Sequence, residues 1–214
     1  MNKASDLKKP EFEQFFIAGR SSGASVSKDR YAGAATFLRF GEGERIDLVA
    51  SILETWMEGG DLNHAMACGA LRHAWDSEPY IQGARLGSYV TSAALRLHDQ
   101  GFSYEEFIEE WGSDLMTDDE VRNLQKMQFP LTIYRGGAGT FDDVAAGFCW
   151  TLKPEIASFY AHEWPQRWGR AGDGVIVRAE VDEGDVYAFL DDRNEAELLI
   201  PYPDQVENLK QWSA

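Results

Sequence analysis

Apolar positions follow two different periods along the chain, and the change between them falls at Phe129 and Pro130. Before that point they recur at helical spacing. Ile46, Val49, Ala50, Leu53 and Met57 form one stripe, closed by Gly59 and Gly60, and predict an amphipathic helix because residues three and four apart share a face. Leu62, Ala65, Met66, Leu71 and Trp75 predict a second helix, capped by Asp61 and ended by Ser77, Glu78 and Pro79. A third is expected from about Gln82 to Gln100, with Leu86, Tyr89, Val90, Ala93 and Leu97 inward and Gly101 at its C-terminal end. Ser103 with Glu106, and Thr117 with Glu120, have the spacing at which a hydroxyl and a carboxylate satisfy each other's backbone N–H. Helices are therefore expected through Trp111 and through Leu124. Near the N-terminus, Phe12, Phe15, Phe16 and Ile17 predict a short helix, whereas Gly19 to Lys28 is small and polar with no period and reads as a flexible segment.

After Pro130 the apolar runs shorten and fill with β-formers: Leu131 to Tyr134, Phe148 to Leu152, Val175 to Val181, Val186 to Leu190 and Leu198 to Ile200. One helix interrupts them, from Pro154 at a tolerated first-turn position through Ile156, Ala157, Phe159, Tyr160 and Ala161. The connections are too short and irregular for repeated parallel crossovers, so the expected class is α+β with a mostly antiparallel sheet. The expected division is a flexible segment over 1–28, a helical region over 29–128 and a β-rich domain over 129–214.

Composition narrows the function classes. The chain has 214 residues, 44% hydrophobic, enough to bury a sizeable core. Its formal charge of −16 argues against a broad nucleic-acid surface, because that mode needs many cations to displace counterions from phosphates. Cys68 and Cys149 are too few for a disulfide framework or a zinc cluster and read as free thiols in a reducing compartment. No apolar run suits a signal peptide or a membrane span, so the expected location is the cytoplasm, of the producing cell or of a target cell if the protein is delivered. His64, His73 and His98 lie on predicted helices without ligand spacing, and no metal is expected. The helical region carries no assigned chemistry and is left for regulation or target contact.

The chemistry concentrates in three pieces of the last third: LTIYRGG (Leu131 to Gly137), GFCWTL (Gly147 to Leu152) and NEAELLIP (Asn194 to Pro201). The first and third set charges among residues suited to burial, which is costly unless the charge has a partner or a task. An arginine, a hydroxyl and a glutamate pair suit a ligand with negative phosphates and a centre that becomes positive. The glycine-rich stretches Gly136 to Gly139 and Gly169 to Gly174 lack the strand and helix that a dinucleotide turn needs, and Ser158 has no histidine at nucleophile-elbow spacing.

In this order the pieces resemble the ADP-ribosyltransferase superfamily, in the branch marked by an arginine, a serine/threonine strand and a Glu-x-Glu motif. The resemblance covers roughly Leu131 to the C-terminus. Arg135 matches the family arginine, Thr151 the last hydroxyl of the Ser-Thr-Ser strand, with Cys149 and Trp150 in the two preceding positions, and Glu195 and Glu197 the Glu-x-Glu. The resemblance implies a split-sheet domain that uses NAD as co-substrate for mono-ADP-ribosylation of a protein, with an arginine acceptor as first choice. Hydrolysis of NAD without transfer, or a binding module that has lost catalysis, are the alternatives. It implies that Glu197 holds the ribose and its developing charge, that Glu195 orients or deprotonates the acceptor, and that Arg135 grips phosphate or ribose. Gly136, Trp150, Thr151 and Phe159 join Arg135 as expected NAD contacts. The aromatic and basic stretch Glu163 to Asp173, with Trp164, Arg167, Trp168 and Arg170, lies where the family has its phosphate and nicotinamide loop. Asp191 to Asn194 takes the place of the acceptor loop. Structural readings stand beside these: Arg135 paired to an aspartate, Thr151 capping the helix at Pro154, Trp150 in the core, and Glu195 as a solvated charge in an acidic turn.

Overall fold

A computed structural model of the protein describes residues 10–16, 23–77, 88–167 and 173–212. The chain separates into two compact units, Met1–Ser103 and Tyr104–Ala214. The boundary precedes the change in apolar period: the helices after Ser103, which the sequence pattern groups with the helical region, pack in the same unit as the strands.

The first unit is helical: α1 (Pro10–Glu13), α2 (Gly23–Arg39), α3 (Glu42–Met57), α4 (His64–Asp76) and α5 (Tyr89–Leu97), with short 3₁₀ turns after α1 and α5. Its core is built on the expected stripes, including Ile46, Val49, Leu53, Leu71, Val90, Ala93 and Leu97. Helices α2 and α4 touch backbone to backbone, since a Cβ on Gly33 would lie 2.0 Å from the Met66 carbonyl oxygen. Two boundaries differ from expectation. Residues 23–28, read as flexible, are the first turns of α2, because a helix anchored by buried residues such as Phe37 extends at small cost once nucleated. Asn63, not Asp61, caps α4 by accepting from the Met66 N–H at 3.2 Å. The described part of the third expected helix starts at Tyr89, where Ser88 accepts from the Thr91 N–H at 3.2 Å. Ile17 and Leu86 lie outside the described residues.

The second unit is α+β. It opens with α6 (Tyr104–Leu115) and α7 (Asp118–Leu124) and continues through β1 (Leu131–Ala138), α8 (Phe141–Ala145), β2 (Cys149–Thr151) and α9 (Pro154–Ser158). Helix α9 runs on as a π-helical turn, Phe159–Glu163, into α10 (Trp164–Arg167). Strands β3 (Gly174–Val181), β4 (Ala188–Leu190), β5 (Glu197–Leu199) and β6 (Glu207–Gln211) complete it. The six strands form one sheet in the order β4-β5-β2-β1-β3-β6, and every pairing is antiparallel. The two halves of the sheet meet where Tyr134 of β1 faces Thr151 of β2. Strand β6 is an addition to the expected set: its five residues, ENLKQ, are exposed and, apart from Leu209, polar, as suits an edge, and carry no apolar alternation to mark them.

The capping box of Thr117 and Glu120 forms as its spacing predicts. Ile133, Val177, Ala179, Val181, Trp150, Leu198 and Leu199 are buried in the sheet. Helix α9 lies directly on β1. A Cβ on Gly136 would sit 1.7 Å from the Ala157 carbonyl oxygen, so the missing side chain is what lets Ala157 and Ala161 reach Ile176 in the core. Among the described residues no helix is long and apolar enough to cross a membrane.

Gly136→Ala is therefore expected to lower stability by about 1–3 kcal/mol or more through overpacking. Thermal unfolding of the variant beside the parent checks this, and an unchanged midpoint would contradict the close approach.

Candidate active site

Glu195 lies in the connection between β4 and β5 and Glu197 opens β5, and that connection is tied down along its length. The Thr151 hydroxyl donates to the Glu195 carbonyl oxygen at 2.5 Å and accepts from the Lys153 N–H at 3.0 Å. Leu152 N–H donates to the Ala196 carbonyl oxygen at 3.1 Å, and the Asp191 carboxylate accepts from the Ala196 N–H at 2.8 Å. Buried Glu120 of α7 accepts from the Asp191 N–H at 2.6 Å. Lys153 Nζ donates to the Asn194 carbonyl oxygen at 2.7 Å and to its side-chain oxygen at 2.6 Å. These bonds hold Asn194 and Ala196 in the left-handed region, at φ 56° and 47°. A side chain in that region is strained, and alanine there persists only where the surroundings over-determine it.

The left-handed Ala196 changes how the two glutamates come together. The two-residue spacing suggests an extended segment with both side chains on one face, but the backbone is kinked between them. They converge nonetheless, on Arg193. Its Nη2 lies 2.9 Å from Glu195 Oε2 and 3.3 Å from Glu197 Oε2. Glu197 is 7% exposed, and a carboxylate so enclosed needs such partners. Glu195 Oε1 accepts from the Tyr160 hydroxyl at 3.0 Å. Burial raises the Glu195 carboxyl above the usual carboxylate range, and the nearby charge of Glu197 adds to this, while Arg193, the Tyr160 hydroxyl and Lys153 oppose it. Burial, and then the charge of Glu195, push the Tyr160 phenol well up, so it serves as an O–H donor. Glu195 is thus not a solvated turn charge.

Strand β2 supports this pair by alternation. Thr151 stands opposite Glu197 in the β2–β5 register, and Tyr134 stands opposite Thr151 across β1, so the three share one face. Cys149, two residues before Thr151, also faces that side. Its thiol is raised well above its usual range, first by burial and then by the Glu197 charge, and it hydrogen-bonds to the Glu197 carboxylate as an S–H donor. Trp150 points the other way and is 1% exposed, with its indole N–H donating to the Gly147 carbonyl oxygen at 2.8 Å. The expectation that Trp150 contacts NAD is corrected: strand alternation puts it in the core. Gly136, also an expected contact, lies beneath α9 and gives its space to that packing.

The Arg135 guanidinium donates from Nη1 to the Cys149 carbonyl oxygen. Its Nε is buried without a hydrogen-bond partner. The guanidinium lies against Gly147, where a Cβ would come within 2.1 Å of Cζ. Arg135 and Arg193 both act electrostatically on Cys149, and Arg193 and Lys153 on Glu195, so three cations gather around the glutamate pair of an acidic chain.

Beside them the helix after Pro154 presents Phe159, Tyr160 and Trp164 as a ring cluster, with centroids 5.3 to 6.1 Å apart. Arg167 caps it from 4.9 Å above the Phe159 ring and pairs with Glu163 at 3.7 Å. Phe159 and Arg167 thus sit next to Tyr160 and, through it, to Glu195. Trp168 and Arg170 lie outside the described residues.

Arg193, Tyr160, Lys153 and Cys149 were not assigned to the site from sequence. Arg193 sits in Asp191 to Asn194, which the resemblance makes the acceptor loop and for which an acidic turn is the structural alternative, and its two- and four-residue spacing from the glutamates is the available signal. Tyr160 falls on an inward helical stripe and looks like core. Comparison with protein-family models, curated proteins and solved structures gave no match, so the functional reading rests on these residues alone.

Removing the Thr151 hydroxyl in Thr151→Val should cost about 1–3 kcal/mol, because the Lys153 N–H loses its acceptor and the loop its tie. Denaturant unfolding measures the loss. Amide exchange at Leu152, whose N–H closes the same connection, should accelerate; unchanged protection there would show that the hydroxyl does not hold the loop.

Proposed function

We propose that the protein transfers ADP-ribose from NAD to a protein side chain, with arginine as the first-choice acceptor, and releases nicotinamide. The observation that carries this reading is the convergence of Glu195 and Glu197 on a single cationic nitrogen at 2.9 and 3.3 Å. Two carboxylates held on one point in a partly enclosed site stabilise a positive charge there, and cleavage of the nicotinamide–ribose bond creates one. The bond breaks with its electron pair leaving on nicotinamide, and the ribose carbon takes on oxocarbenium character. A fixed carboxylate then lowers the energy of the transition state more than that of the neutral sugar.

Glu197, braced by Cys149 and fixed in the sheet, is the group for the ribose. Glu195 is the base: a nitrogen of the acceptor forms the new bond to the ribose carbon and passes its proton to the Glu195 carboxylate. Its raised proton affinity favours that transfer. Arg135, with a buried Nε lacking a hydrogen-bond partner, suits a phosphate oxygen, where a planar fork is better matched than an ammonium. The rings of Phe159, Tyr160 and Trp164 offer a stacking surface for a flat heterocycle. A second reading, a binding module on this scaffold, is favoured by the fact that Arg193 already fills the carboxylate pair.

Nicotinamide release by the purified chain separates the two readings. On the transferase reading, Glu197→Gln keeps the fold and lowers release on the order of 10²–10³-fold, the usual loss when one electrostatic stabiliser is removed. Release equal to the parent's from the folded variant would defeat the assignment.

The base role of Glu195 predicts a pH dependence. The group must be ionised to accept a proton, and its folded-state affinity is raised, so transfer should fall as pH drops and begin to fall above the ordinary glutamate value of about 4.3. In Glu195→Gln, label transfer to protein should be lost while slow NAD hydrolysis persists without that acid limb. A parallel loss of both activities would place Glu195 in NAD binding instead.

A further inference from the structure

We infer that Arg193 determines acceptor specificity by holding, from within the chain, the place of an acceptor guanidinium; the inference rests on the transferase reading above. One nitrogen of Arg193 is shared by both glutamates, and Arg193 is the most exposed of the three. The Glu195 and Glu197 side chains are 19% and 10% exposed, and Arg193 is 34% exposed. The backbone beside the glutamate pair and one oxygen of Glu195 are held by groups other than Arg193. Thr151 holds the Glu195 carbonyl, Asp191 and Leu152 hold the backbone of Ala196, and the Tyr160 hydroxyl holds Glu195 Oε1. Displacing Arg193 therefore leaves two carboxylates facing one vacated position, an arrangement that is costly until another cation enters.

The group that replaces a guanidinium most closely is another guanidinium, with the same planar fork and spread charge. Water or a hydroxyl brings no charge to the position, and an ammonium brings it as a compact, strongly hydrated point. Arg193 thus withholds the site from acceptors that cannot displace it. Because it is tethered two and four residues from its partners, it competes at a high effective concentration, of millimolar order or above. A small free guanidine competes poorly against it. An arginine on a protein that is docked through other contacts does not face that disadvantage, so the device favours protein arginines over free ones and over water.

The test measures binding of agmatine by calorimetry to the full chain, to Arg193→Ala and to Arg193→Lys, with putrescine as the ammonium counterpart. Arg193→Ala should bind agmatine at least about tenfold more tightly than the parent, as expected when a charge-assisted competitor is removed. Arg193→Lys should fall between them, and putrescine should gain less than agmatine. NAD hydrolysis without acceptor should rise in Arg193→Ala. Equal agmatine affinity in the parent and the folded variants overturns the inference. If Arg193→Ala fails to fold, equal affinity in the parent and Arg193→Lys overturns it. Tighter agmatine binding by Arg193→Ala with no nicotinamide release from any of the proteins upholds the place-holding role and defeats the transferase reading. Nicotinamide release by the parent with unchanged agmatine affinity does the reverse.

Discussion

The hydrogen bond from the Thr151 hydroxyl to the Glu195 carbonyl oxygen joins the middle of the sheet to the connection that carries Glu195 and leads into Glu197. Thr151 occupies the place where the two halves of the sheet meet, opposite Tyr134 on one side and Glu197 on the other. A side chain so placed transmits the position of β1 and β2 to residues outside any strand. The left-handed Asn194 and Ala196, the Lys153 contacts and the Asp191 bond to the Ala196 N–H complete a connection whose conformation is set by its surroundings. Pre-set geometry of this kind is what an electrostatic site needs, since charges that must first be reoriented stabilise a transition state less.

The electrostatic character of the site differs from that of the chain. A net charge of −16 describes a mostly acidic molecule, yet Arg135, Lys153 and Arg193 all act on the groups around the glutamate pair. A carboxylate as enclosed as Glu197 is costly without such cations beside it. The same arrangement suits the proposed NAD chemistry, in which phosphate oxygens meet arginine and a transient positive sugar meets glutamate.

The Cys149-Trp150 pair illustrates how a strand divides its tasks. Alternation sends Cys149 toward Glu197, where its S–H donates to the carboxylate, and sends Trp150 into the core. The tryptophan still bears on the site, because its indole N–H holds the Gly147 carbonyl and Gly147 lies against the guanidinium of Arg135. A thiol standing where the resemblance expects a hydroxyl thus retains a donor at that position, although a weaker one.

Sequence alone determined the α+β class, the helical stripes of the first unit, the capping box at Thr117, the main strands, and the places of Arg135, Thr151, Glu195 and Glu197. Each of these is carried by local signals: a period, a capping pair, or charges set among apolar residues. Tertiary structure decided what those signals do not encode. The exposed, mostly polar residues of β6 become a strand because β3 offers them an edge. The helices after Ser103 pack with the strands because their buried faces find partners there, as at Glu120 and Asp191. Gly136 and Trp150 left the site because helix packing and strand alternation place them elsewhere. Arg193, Tyr160 and Cys149 entered it because the kink at Ala196 and the register of β2 against β5 bring together groups from three segments. Charges and hydroxyls carry no periodic pattern along a chain, so their meeting becomes visible only when the backbone that aims them is known.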